Sequence, residues 1–104
     1  MTATGWCAYT TRGNTKADAL ATCFYEAAML HLPGKHLRTD YTDGDSDLES
    51  DFYLLRHTLC PSVLTENLFM DSYPDYVFLL SSKGQQSLVD LHVDGIRRYL
   101  ASKI

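Results

Sequence analysis

The chain has 104 residues, 45% of them hydrophobic, with 9 Lys and Arg against 13 Asp and Glu for a formal net charge of -4. Such a balance suits one folded domain with a modest core and argues against disorder, and its acidic sum argues against nucleic acid or an anionic membrane surface as the main partner. No apolar run nears the roughly 20 residues of a membrane-spanning helix, and the short, polar, uncharged start before Gly5 does not read as a signal peptide.

Residues 5–11 are rich in aromatic and β-prone side chains (Trp6, Tyr9, Thr10, Thr11) and read as a strand. Arg12-Gly13-Asn14 is a turn. Thr15 stands where it can N-cap a helix, with Asp18 placed to complete a capping box and to meet the positive end of the helix dipole. The helix is expected over 16–31. Ala17, Leu20, Ala21, Phe24, Ala27 and Ala28 recur at helical spacing as one apolar stripe, while Lys16, Thr22, Tyr25 and Glu26 fall largely away from it. The many alanines permit close approach to a sheet, and Pro33-Gly34 ends the helix.

Residues 37–42 read as a short strand, and 43–51 form an acidic loop. Its alternating acids invite a calcium reading, but the glycine at position 44 falls too early and Leu48 stands where an EF-hand loop needs its glycine, so a solvated loop is preferred. Residues 52–56 make a short helical or extended approach to the strand expected after Pro61. Beyond Phe69, Asp71-Ser72 offers capping side chains, Pro74 suits a first helical turn, and a short helix runs through Val77–Leu80 until Ser82-Lys83-Gly84 breaks it. A last helix over 85–101 carries Leu88, Val89, Val93, Ile96, Tyr99 and Leu100 on one broad face. His92 lies in its middle as a packed histidine, and Gly95 implies a close neighbour. Cys7, Cys23 and Cys60 form no C-x-x-C pair and are expected to act as small buried hydrophobes.

The stretch that carries chemistry is 60–69. Pro61 fits only the start of a strand or an edge, and the short, mostly apolar run after it suits a strand covered on both faces, as in a parallel sheet. The run stops at Glu66. In an open α/β sheet ligands bind outside the carboxyl ends of the strands, so Glu66 reads either as a solvated loop carboxylate or as an acid or base raised on a rigid strand.

From Leu55-Arg56 through Pro61-Ser62-Val63-Leu64-Thr65-Glu66 to Phe69, the chain resembles the C-terminal signature of zinc-dependent N-acetylmuramoyl-L-alanine amidases: a Leu-Arg pair, Pro-Ala-Val-Leu, an apolar residue, Glu, and Phe three residues later. Leu79-Leu80-Ser81 and Gly95-Ile96-Arg97-Arg98-Tyr99 resemble that family's closing helices, and Gly5-Trp6-Cys7-Ala8-Tyr9 with Ala17-Asp18-Ala19-Leu20-Ala21 resembles its middle strand and helix. The similarity spans nearly the whole chain but only about the C-terminal half of the family's catalytic domain. The family commonly has Gly-Phe where this chain has Leu68-Phe69, a departure that bears on the shape of the substrate groove.

The resemblance implies an α/β fold: a partial, mostly parallel sheet with flanking helices, half of a three-layer αβα domain spanning 1–104. It implies hydrolysis of the amide between N-acetylmuramic acid and the L-alanine of the peptidoglycan stem peptide, with Glu66 as the base beside a zinc ion. The family's ligands, two His and a Glu, precede the matched region. His31 and His36 flank Pro33-Gly34 and cannot share a helix face, His57 has no partner at ligand spacing, and no H-E-x-x-H occurs. The expectation is therefore that zinc belongs to the parent domain, and that the chain alone binds none and cuts no peptidoglycan. The alternative is a non-catalytic binding or assembly module with the same fold. Either way, a half-domain exposes a sheet edge and helix faces through which homo-oligomers are expected.

Overall fold

The computed structural model describes residues 3–11, 16–39, 48–49 (backbone only) and 53–103. The turn at 12–14, the cap at Thr15, residues 40–42 of the strand expected over 37–42 and most of the acidic loop lie outside the described residues. The elements run β1 (Trp6–Thr10), α1 (Lys16–His31), β2 (Leu48–Glu49), α2 (Tyr53–His57), β3 (Leu64–Asn67), α3 (Tyr73–Leu80) and α4 (Ser82–Ala101).

The expected α/β class holds: helices pack on a sheet of strand order β2-β1-β3. The pairing around β1 is mixed. β1 and β2 run parallel, with Tyr9 opposite Leu48, and a parallel bridge joins Trp6 to Leu37, whereas β1 and β3 are antiparallel with Cys7 opposite Glu66 and Ala8 opposite Thr65. The centre of the sheet is β1, not the strand before Glu66. Trp6, Cys7, Ala8 and Thr10 are fully buried, so β1 is covered on both faces, while every residue of β3 is partly exposed. Among the described residues β3 pairs with β1 alone.

α1 has the bounds that the apolar stripe and Pro33-Gly34 imply, and Gly34 takes a φ of +86° beyond its end. Ala17, Ala21, Phe24, Ala27 and Ala28 are buried. Tyr25, expected on the outer flank, is buried too: its ring meets Trp6 edge-on at 5.0 Å, and its hydroxyl accepts from the Ala8 N–H and donates to the Arg38 carbonyl. The long phenol reaches backbone groups that a shorter side chain would leave unsatisfied. Asp18 turns toward the sheet, where it accepts from the Thr10 hydroxyl at 3.0 Å.

Residues 82–84 do not break a helix; they begin α4. The break falls at Ser81, whose backbone is extended and whose side chain accepts from the Gly84 N–H. α4 packs along α1, and a Cβ at Gly95 would stand 2.4 Å from Cδ1 of Phe24, the close neighbour the sequence implied. The inward face of α4 is Leu88, Leu91 and Gly95, with Leu91 fully buried. Val89, Val93, Ile96 and Leu100, expected on that face, point outward. Three ion pairs lie along the α1–α4 junction: His31 to Asp94, Arg98 to Asp94 and, more loosely, Arg98 to Glu26. Cys7 and Cys23 are buried as expected; Cys60 is exposed, because it sits in the irregular segment before β3.

Candidate active site

Successive residues of β3 face opposite sides of the sheet, and the two sides differ in chemistry. Thr65 and Asn67 face α4. The Trp6 indole N–H donates to Asn67 Oδ1 (2.9 Å), and the Asn67 amide donates to the Thr65 hydroxyl (3.3 Å). Thr65 Oγ lies 3.0 Å from Nε2 of His92, whose Nδ1 is 2.6 Å from the Leu88 carbonyl. A carbonyl only accepts, so Nδ1 carries the proton, Nε2 accepts from Thr65, and the chain of donors runs one way from β1 to α4. His92 is thus the packed histidine expected, with its ring 5.6 Å from Phe24.

Glu66 stands on the other side. It is the third residue of β3 rather than the first of a loop, half-buried, with Oε2 3.9 Å from Sγ of Cys7 on the neighbouring strand. Cys7 and Tyr9 share that face, and Arg38 lies within hydrogen-bonding reach of the Cys7 sulfur. Burial, then the negative charge of Glu66, pushes the Cys7 thiol above its ordinary pKa, with Arg38 offsetting part of the rise. The Tyr9 phenol is raised as well, by burial first, then by the neighbouring Cys7 and Glu66. Neither group is an activated nucleophile. Among the described residues Glu66 makes no ion pair.

The end of β3 is fixed by a residue to which the sequence pattern gives no role. Asp75, in the first turn of α3, is fully buried and accepts from the N–H of Gly5 (3.0 Å), the N–H of Phe69 (3.1 Å) and the Lys35 ammonium (3.1 Å). Burial alone would raise its pKa, but these hydrogen bonds outweigh it and hold the carboxyl below the ordinary aspartate value. Leu68 adopts φ +71°, a left-handed conformation that favours glycine, at the position where the amidase signature has one. Arg38 then covers the Phe69 ring at 5.2 Å. The signals available in the sequence were Pro74-Asp75 at a helix start and the glycine departure at Leu68.

Three clefts of about 240, 420 and 410 Å³ border residues 55–62 with the start of α1, the Leu30–Arg97 flank of α4, and the Asn67–Val93 flank of α4. Glu66 lines none of these three. The described residues include no group of three or more His, Cys, Asp or Glu able to hold a metal ion. His31 bonds Asp94, His57 stacks on Tyr53, and His92 is engaged with Thr65 and Leu88. A zinc of the kind the resemblance implies therefore does not fit the donors among the described residues.

No family model and no curated protein matches the sequence. Solved structures do match. The chain superposes on an N-acetylmuramoyl-L-alanine amidase from Clostridium difficile 630 with a TM-score of 0.82 at 23% identity, over 99% of this chain and 52% of that one. It also matches the amidase AmiC2 of Nostoc punctiforme (TM-score 0.79, 23% identity, 94% and 49% of the two chains). A third match is the CwlD amidase of Clostridioides difficile, solved in complex with the GerS lipoprotein (0.75, 22%, 96% and 48%). The chain spans about half the length of each of these structures, and over that span it has the N-acetylmuramoyl-L-alanine amidase fold.

Proposed function

We propose that this chain is the C-terminal half of a peptidoglycan amidase domain that hydrolyses the amide between N-acetylmuramic acid and the L-alanine of the stem peptide. One observation carries the reading: Glu66 is held on a short, cross-strand-paired segment, on the face of the sheet turned from α4, within a fold shared with amidases over nearly all of the chain. A carboxylate so placed and without an ion-pair partner among the described residues can take a proton from an attacking water and pass it to the departing amine. The polarising zinc belongs in this proposal to ligands outside the chain, which alone binds none.

A muropeptide digest with added zinc tests this. The 104-residue chain should release no stem peptide. Joined to an amidase N-terminal half that carries the metal ligands, it should release stem peptide with a free L-alanine amine, and Glu66→Gln should cut that rate by at least about 100-fold. Cleavage by the chain alone would overturn the half-site reading; a joined chain indifferent to Glu66→Gln would overturn the role of Glu66. The second reading, a non-catalytic binding or assembly module, is favoured by Leu68, whose side chain occupies the place of a signature glycine. Failure of the joined, folded chain to cleave would select it. Both readings include assembly with further copies of the chain through faces left open by the half-domain.

A further inference from the structure

α4 has two apolar faces, and only one packs inside this chain. Val89, Val93, Ile96 and Leu100 form the other, each 43–59% exposed. Their spacings of four, three and four residues keep one stripe along the helix, as in a helix–helix seam. A groove runs along each flank: Asn67, Leu88 and Val89 border one, Leu30, Asp90 and Arg97 the other, and Val93 lines both. The stripe is a ridge between two grooves, the shape that another ridge of the same kind fits.

The flanking charges fix the occupant. Asp90 and Arg97 lie two helical turns apart on the Leu30 flank. Asp94 is engaged with Arg98 and His31, and Arg98 also with Glu26, but Arg97 makes no hydrogen bond or ion pair among the described residues, and Asp90 accepts only the Gln86 amide. A two-fold axis near position 94 lays a second α4 antiparallel on the first. It sets Asp90 of each copy beside Arg97 of the other, Val93 against Ile96 and Val89 against Leu100. A parallel alignment would set this flank against the opposite one, where Asn67, Leu88 and His92 lie, and leave Asp90 and Arg97 without charged partners across the seam. We propose that α4 pairs antiparallel with the α4 of a second copy of this chain. The seam rests on the self-assembly in the proposed function, locates it, and is independent of the chemistry of Glu66.

Light scattering at micromolar concentration, with circular dichroism to confirm helix content, tests the seam. The parent chain should be dimeric and Val93→Glu monomeric. Arg97→Asp should weaken the dimer by about tenfold or more, and the double variant Asp90→Arg/Arg97→Asp should restore it to within about threefold. A parent chain that stays monomeric gives the stripe another occupant and overturns both seam and self-assembly. A dimer unmoved by Val93→Glu, or a charge reversal that the double variant does not rescue, overturns the seam alone. The amidase reading stands or falls separately, on the muropeptide digest.

Discussion

Leu68 combines two opposed effects. Its left-handed backbone costs a residue with a β-carbon about 1–2 kcal/mol, yet its side chain is buried in the cluster that holds Trp6 and Leu91. Substitution separates them: Leu68→Ala loses the burial and keeps the strain, and Leu68→Gly loses both. In urea unfolding, Leu68→Gly should be more stable than Leu68→Ala by about 1 kcal/mol, reversing the usual order of these two residues. The ordinary order would show that the turn carries no strain. This position is half legible from sequence. The motif marks it as a glycine site, and the backbone angle supplies the physical reason; burial of the leucine depends on neighbours far along the chain. Tyr25 escapes the sequence for a related reason, since helical periodicity places a Cβ and says nothing of where a long phenol ends.

At the level of elements, α1 is readable because its stripe is small and continuous and Pro33-Gly34 punctuates it. α4 is readable as a helix but not in its facing. Counting hydrophobic residues favours the side with Val89, Val93 and Ile96, whereas the packed side is chosen by Gly95 and Leu91, which let Phe24 approach the helix. Gly95→Ala weighs these influences. Helix propensity favours alanine by about 1 kcal/mol, but the new methyl would overlap a buried aromatic ring, and overpacking costs about 1–3 kcal/mol. A lowered Tm is expected, by several degrees. A raised Tm would show that Phe24 yields freely and that the α1–α4 contact is loose.

Across the whole molecule, Asp75 joins segments distant in sequence: the entry to β1 through Gly5, the turn after α1 through Lys35, and the exit of β3 through Phe69. Because its native pKa is lowered, its stabilising contribution is complete above the ordinary aspartate range near about 3.9, and is lost as pH falls through the native value. Asp75→Asn should therefore be less stable than the parent at neutral pH, with the gap closing in that acidic window. Equal stability of the two proteins from neutral pH down to that window would show that the clamp is not formed. The α/β class is visible in alternating and helical periods, but strand direction is not. Whether β3 meets β1 parallel or antiparallel depends on the path between them, which local patterning does not encode.

The Trp6 side chain reports on the pairing of β1 with β3. It is the sole tryptophan of the chain, fully enclosed, with its ring nitrogen tied to Asn67 on the strand that bears Glu66. Fluorescence excited in the indole band thus reads out that strand pairing without any attached dye: a short-wavelength emission while β1 and β3 stay together, and a shift to the red when water reaches the ring.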